Sequence, residues 1–114
     1  DFTYVTNAVE ANWRAATADG RLGGEVFNVG CGERVTLNRV LQTLNELTGQ
    51  RRRATYAPSR AGDVRHSLAD LRRIGMRLGY EPVMSFRDGL AKTLDLQRGE
   101  LFTAQAIGRD GGMG

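Results

Sequence analysis

The chain has very few of the residues that build disulfides, redox centres or metal sites. Its 114 residues include one cysteine, Cys31, and one histidine, His66. A single cysteine excludes an internal disulfide and fits a reducing compartment. The two residues together are too few to predict a metal site. No apolar run approaches the roughly 20 residues of a membrane span, and the chain opens on the mixed segment Asp1-Phe2-Thr3-Tyr4-Val5, which does not resemble a signal peptide. We therefore expect a soluble, cytoplasmic protein without a membrane partner.

Positive charge is present but weak, because the formal net charge is +3. The one tight basic cluster, Arg51-Arg52-Arg53, follows Gly49 at the end of a helical pattern, where cations complement the helix dipole. Only Tyr56 lies near enough in sequence to stack a nucleobase beside these arginines. We predict no nucleic-acid partner. The length allows at most one small domain.

Strand-like runs alternate with helical stripes along the chain. Three short β-rich runs are predicted as strands: residues 2–5, 25–30 and 54–57. Capping signals mark the starts of three helices: Asn7 with Glu10, Thr36, and Ser85 with Asp88. A further short helix is predicted to begin at Asp70, and Trp13 is predicted to lie in the core. This alternation predicts an α/β fold with parallel pairing, followed by a disordered tail over residues 99–114.

The segment Ser59–Asp70 carries the clearest candidate for ligand chemistry. Arg60 and Asp63 flank Gly62, which allows the backbone to turn tightly between them. Arginine offers a planar charged fork that fits two phosphate oxygens, and a carboxylate can accept hydrogen bonds from sugar hydroxyls. Two interpretations stay open at this point: a grip on a phosphorylated, hydroxylated ligand, or an ordinary turn held by a local salt bridge.

Four motifs in order resemble a known family. They are Asp-Phe-Thr-Tyr-Val with a following Val-Glu-Ala-Asn, then Gly-Glu-Val-Phe-Asn-Val-Gly, then Arg-Ala-Gly-Asp-Val-Arg-His-Ser-Leu-Ala-Asp, then Leu-Gly-Tyr-Glu-Pro. The sequence resembles the NAD-dependent epimerase/dehydratase group of the extended short-chain dehydrogenase/reductase family. More narrowly, it is similar to the C-terminal part of UDP-N-acetylglucosamine 4-epimerases.

This resemblance implies a fold, and it implies which functions belong to the C-terminal and the N-terminal parts of the enzyme. Residues 1–98 would be the C-terminal, nucleotide-sugar-binding portion of an extended Rossmann-type enzyme, with a late sheet strand at residues 25–30. The N-terminal half, with its glycine-rich dinucleotide loop and Tyr-x-x-x-Lys pair, has no counterpart here. Gly30-Cys31-Gly32 lacks the third glycine of a dinucleotide loop, so Gly30 and Gly32 are interpreted as turn glycines. We therefore expect no catalytic residue, no NAD bound by this chain alone, and no turnover by it.

The resemblance also assigns roles to three residues. It implies that Arg60 contacts the diphosphate of a UDP-sugar, that Asp63 contacts the uridine ribose, and that Ser67 lines the sugar pocket. His66 is expected on the opposite side of a strand, with a structural role. A small residue at Ser67 leaves volume for an acetamido group.

The function implied is that of a fragment of a nucleotide-sugar 4-epimerase. In that family, hydride passes from sugar C4 to NAD and returns to the other face of a 4-keto intermediate. Alternatives are a fragment of a 4,6-dehydratase or a uronate epimerase, or a non-catalytic nucleotide- or partner-binding domain. Family members are often homodimers, but the helices that form those dimers are absent from this sequence.

Overall fold

Four helices, joined by segments without regular secondary structure, make up the described chain. The computed structural model describes the backbone of residues 1–111 and the side chains of residues 1–99. The helices are α1 (Val5–Ala16), α2 (Leu37–Thr48), α3 (Arg72–Leu78) and α4 (Phe86–Gly111). α1 packs against α3, and α2 packs against α4. None of these helices is long and apolar enough to cross a membrane.

The three predicted strands are not formed in the described residues. The predicted sheet, with its late strand at residues 25–30, is therefore not shown by these residues. A β-rich composition suits a strand, but a strand also needs a neighbour that exchanges backbone hydrogen bonds with it. No described segment supplies that neighbour, and the Gly30 carbonyl instead accepts from the Tyr80 hydroxyl at 2.7 Å.

Local capping signals are confirmed at two helices. The Thr36 hydroxyl accepts a hydrogen bond from the Arg39 backbone N–H at 3.1 Å, and Ser85 Oγ accepts from Asp88 N–H at 3.2 Å. These hydroxyls satisfy N–H groups that have no partner inside the helix. α3 begins two residues later than predicted, which is within the ordinary uncertainty of a helix boundary.

The capping box predicted at Asn7 and Glu10 is wrong, because α1 begins earlier, at Val5. Asn7 lies inside the helix and is fully buried. Its side-chain oxygen accepts from the N–H groups of Val83 and Met84, at 2.8 Å and 3.0 Å, and its amide donates to the Met84 carbonyl at 2.9 Å. Asn7 therefore ties α1 to the segment that precedes α4.

The core is small. The buried apolar residues of the described chain are Ala11, Cys31, Ile74, Tyr80 and Phe86. Ala11, Ile74 and Tyr80 form one cluster, and the half-buried side chains packed against it are Phe27, Leu71 and Leu78. The helical stripe predicted that Trp13 lies in the core. This prediction is wrong, because the Trp13 side chain is 65% exposed. The helix turns its Asn7–Ala11 side inward, so the Trp13 side faces outward.

α4 extends through most of the segment that was expected to be a disordered tail. Its backbone is helical to Gly111, and residues 100–107 are mostly good helix formers. The expectation for residues 112–114 lies outside the described residues. With this long helix, the Cα radius of gyration is 18.9 Å, compared with about 13 Å for a compact domain of 100 residues.

Candidate functional site

The residues singled out from the sequence lie on the connection between α2 and α3. Arg60, Asp63 and Ser67 are exposed, as is every residue from 51 to 68. Arg60 and Asp63 share one turn, in which Asp63 N–H donates to the Arg60 carbonyl at 3.3 Å. Gly62 has a φ of +88°, which the third residue of a type II turn requires and other residues rarely adopt. The tight turn predicted around this glycine is confirmed.

The side chains that flank this turn are unpaired. Within the described residues, neither the Arg60 guanidinium nor the Asp63 carboxylate forms a hydrogen bond or an ion pair. The turn is therefore held by its backbone, not by an Arg–Asp salt bridge. Its two charged groups remain available, one for phosphate oxygens and the other for hydroxyl donors.

Ser67 is joined to the rest of the chain through its backbone. Its carbonyl accepts from the Asp1 nitrogen at 2.9 Å, whereas its hydroxyl has no hydrogen-bond partner among the described side chains. No hydrogen bond links Ser67 to Arg60 or Asp63 in this part of the chain. His66 is exposed too, and no strand forms here that would place it opposite Ser67.

Asp1 holds the loop at residues 30–32, a contact that the sequence analysis missed. Its carboxylate accepts from the N–H groups of Cys31 and Gly32, at 3.0 Å and 3.2 Å. A Cβ at Gly30 would lie 2.6 Å from that carboxylate and 2.8 Å from the Ala69 Cβ. The glycine therefore allows the loop to approach Asp1 and the segment after Ser67 closely. The pair Gly30 and Gly32 indicates from the sequence that another part of the chain approaches this loop closely. It does not identify Asp1 as the residue that does so.

The same geometry differs from that of a dinucleotide-binding loop. A dinucleotide loop directs free backbone N–H groups at the pyrophosphate, at the start of a helix. Here those of Cys31 and Gly32 are occupied by a carboxylate, and the next helix begins only at Leu37. The φ of +76° at Gly32 agrees with a turn glycine. The described residues also contain no group of side chains able to hold a metal ion.

Cys31 is buried, and its surroundings disfavour the reactive thiolate form of its side chain. Its thiol lies 3.1 Å from Glu33 Oε2 and 3.2 Å from the Met84 carbonyl oxygen. Burial, together with the hydrogen bond to Glu33, raises the pKa of the thiol to about 11. The thiol is therefore protonated at neutral pH, and the thiolate needed for nucleophilic attack is scarce.

An open groove of about 740 Å³ lies along α2 and the segment that leads toward Arg60. Most of its polar lining is engaged within the chain. Asn45 binds both backbone groups of Arg52, at 2.9 Å and 3.1 Å, and Asn38 accepts from the Tyr56 hydroxyl at 3.2 Å. These bonds hold the connection against α2 upstream of the Arg60–Asp63 turn.

Comparison with known proteins relates the chain to nucleotide-sugar enzymes. No protein-family model matches it. The UDP-glucose 4-epimerase of Mycolicibacterium smegmatis is 32% identical over 98 residues, which make up 86% of this chain and 31% of the relative. The chain spans about a third of the length of the curated relatives it matches.

Two solved structures share its fold. The UDP-glucose 4-epimerase of Thermotoga maritima, determined with UDP-glucose, is 38% identical with a TM-score of 0.79, over 89% of this chain and 32% of the other. MoeE5, in complex with UDP-glucuronic acid and NAD, is 37% identical with a TM-score of 0.80, over 88% of this chain and 33% of the other. The chain is thus homologous to about one third of an NAD-dependent nucleotide-sugar epimerase/dehydratase of the short-chain dehydrogenase/reductase family.

Proposed function

We propose that this chain is the C-terminal fragment of a nucleotide-sugar epimerase and binds the nucleotide end of a UDP-sugar. The observation that carries the proposal is the Arg60–Asp63 turn, which presents a guanidinium and a carboxylate without partners in the described residues. Arg60 would bind the diphosphate and Asp63 the ribose hydroxyls. The two neighbouring structures hold UDP-glucose and UDP-glucuronic acid, which supports a UDP-sugar as the ligand.

The chain's own contribution is to bind and orient. Gripping the nucleotide end would fix the position of the distant sugar carbon, so that remote binding energy supports the reaction. Because the N–H groups of Cys31 and Gly32 are bonded to Asp1, we expect NAD to bind to the part of the enzyme that this chain does not match. The chain by itself is then a binding fragment without a catalytic group.

The UDP contact is tested by calorimetric titration of the purified chain with UDP. Hydrogen bonds to a charged group contribute about 1.5–3 kcal/mol, so we expect Arg60→Ala to raise the Kd roughly tenfold or more. Arg65→Ala is the matched control, since Arg65 is an exposed arginine of the same connection outside the turn. No binding by the wild-type chain, or equal losses in the two variants, would contradict the proposal.

Ser67 is proposed to line the sugar pocket and to leave room for an N-acetyl group. Its test uses a chimera in which this chain replaces the matched third of the Thermotoga maritima enzyme. A tyrosine ring at this position should overlap an acetamido group but spare a hydroxyl. Ser67→Tyr should therefore lower kcat/KM for UDP-N-acetylglucosamine more than about a hundredfold and leave UDP-glucose within about tenfold.

Ser59→Tyr is the matched control for that measurement, because Ser59 is an exposed serine of the same connection. A melting temperature for each variant separates misfolding from selectivity. Parallel losses for the two sugars, or no loss for either, would remove Ser67 from the site.

A second candidate is a fragment of a uronate-specific enzyme, which the MoeE5 complex with UDP-glucuronic acid favours. A 4,6-dehydratase fragment is a further alternative within the family. Activity of the same chimera on UDP-glucuronic acid, compared with UDP-glucose, distinguishes the uronate-specific enzyme from the 4-epimerase proposed first.

A further inference from the structure

Two asparagines of α2 hold the start of the connection that carries the Arg60–Asp63 turn. Asn45 Nδ2 donates to the Arg52 carbonyl at 2.9 Å, and Asn45 Oδ1 accepts from the Arg52 N–H at 3.1 Å. Asn38 Oδ1 accepts from the Tyr56 hydroxyl at 3.2 Å. We call Asn38 and Asn45 the α2 amide pair.

The spacing of the α2 amide pair matches the segment that it holds. The two asparagines are seven residues apart, so they share one side of the helix and lie about 10.5 Å apart along its axis. The residues that they contact, Arg52 and Tyr56, are four apart, and four residues of chain span at most about 14 Å. The later asparagine contacts the earlier residue. The segment therefore runs antiparallel to α2, along the open groove that both elements line.

A short linker joins this anchored segment to the turn. It contains three residues, Ala57, Pro58 and Ser59. The proline ring fixes one backbone angle and restricts the residue before it to extended conformations, so the linker is stiff. In the part of the chain that the structure describes, residues 57–59 form no hydrogen bond of their own. The α2 amide pair is therefore the nearest support of the turn on its upstream side.

We propose that Asn38 and Asn45 are positioning residues, which hold the Arg60–Asp63 turn in place and act through Arg60 on the affinity for UDP. This inference rests on the proposed contact between that turn and UDP. A ligand that binds a mobile segment must order it, and this cost lowers the affinity. Both asparagines are uncharged, so their effect on a diphosphate is one of position and not of electrostatic attraction.

The first test is calorimetric titration of alanine variants with UDP. Each hydrogen bond between neutral groups contributes modestly, so we expect Asn38→Ala and Asn45→Ala to raise the Kd about threefold each and the double variant about tenfold. Alanine is a better helix former than asparagine, so these changes do not weaken α2 itself. Gln42→Ala is the matched control, because the Gln42 amide lies on the same helix but donates to Glu46. It should leave the Kd unchanged.

A second variant, Tyr56→Phe, separates positioning from a general loss of structure. It removes the hydroxyl that donates to Asn38 and keeps the aromatic ring. Because Asn38 and Tyr56 share one bond, Tyr56→Phe should raise the Kd as much as Asn38→Ala does, and the two together should raise it no further. Added to Arg60→Ala, either change should alter the Kd by less than about twofold, since the pair acts through Arg60. Additive losses in these combinations would overturn the proposal.

The hold on the turn is also measured without a ligand. The NMR order parameter of the Gly62 N–H reports fast backbone motion there, and we expect it to fall in the double variant and to stay at the wild-type value in Gln42→Ala. An unchanged order parameter in the double variant, or a Kd for UDP equal to that of Gln42→Ala, would overturn the proposal. A wild-type chain that does not bind UDP contradicts the proposed function alone, because a lower order parameter in the double variant would still show that the α2 amide pair holds the turn.

Discussion

At the scale of single residues, the arginines of α3 determine which carboxylates are already engaged. Glu25 binds Arg77 and Arg73, and the hydrogen bond from Arg77 is the largest cause that lowers the pKa of Glu25. Asp70 is held in the same way by Arg72, at 2.6 Å. Asp63 has no such partner among the described residues, which is why it, rather than Asp70, is the carboxylate available to a ligand.

The Asp70–Arg72 pair predicts a measurable acid titration. Side-chain and backbone hydrogen bonds from Arg72 lower the pKa of Asp70 to about 2, from a usual value of 3.8. The folded-state pKa is depressed, so the pair stabilises the fold above about pH 4, and this contribution is lost as the pH falls toward 2. Arg72→Ala should return the midpoint, followed by carboxyl ¹³C NMR, toward 3.8.

Arg73→Ala is the control for that titration, since Arg73 pairs with Glu25 instead. It should leave the Asp70 midpoint unchanged. A wild-type midpoint near 4, or the same shift in both variants, would show that Arg72 does not hold Asp70 in solution.

At the scale of elements, the sequence predicts what depends on neighbouring residues and fails where distant ones decide. The hydroxyls of Thr36 and Ser85 cap their helices by accepting from N–H groups three residues further along the chain. These capping patterns are local and can be read from the sequence. Asn7 has the same cap chemistry, but its partners lie 76 and 77 residues further along the chain, and no local pattern reveals them. The run at residues 25–30 likewise resembles a strand, but its pairing depends on a neighbour that the described residues do not provide.

Asn7 should therefore contribute more to stability than its position inside a helix suggests. Asn7→Ala removes the acceptor for the N–H groups of Val83 and Met84 and the donor to the Met84 carbonyl. Each buried polar group left without a partner costs about 1–3 kcal/mol, so we expect the free energy of unfolding to fall by about 3 kcal/mol or more.

Asn12→Ala is the matched control for this measurement, since Asn12 is exposed on the same helix. Denaturant unfolding of the two variants, in the chimera if the isolated chain is too unstable, compares them directly. A loss below about 0.5 kcal/mol in Asn7→Ala, the usual limit for a surface change, would mean that other groups or water replace its bonds.

At the scale of the whole molecule, the order of motifs predicted the relation to epimerases, and the comparison supports it at that level. The motifs keep the order that the family resemblance requires, although no sheet forms among the described residues. They do not identify what each helix packs against. The helical stripe on α1 predicted Trp13 to lie in the core, but its side chain is 65% exposed. Apolar residues at helical spacing show which residues share one side of a helix. Whether that side is buried depends on what packs against it.

The isolated chain should therefore be marginally stable and should bind hydrophobic dyes. Val26 is 80% exposed and Tyr56 79%, and Val9 and Trp13 of α1 are 60% and 65% exposed. Apolar area left in water lacks the stabilisation of about 25 cal/mol per Å² that burial gives. Unpaired segments with strand-like composition also favour self-association. We expect dye fluorescence, a broad thermal transition and a sedimentation coefficient that depends on concentration, whereas the full-length chimera should unfold sharply without binding dye. A dye-free, concentration-independent two-state transition of the isolated monomer would show that this small core is sufficient by itself.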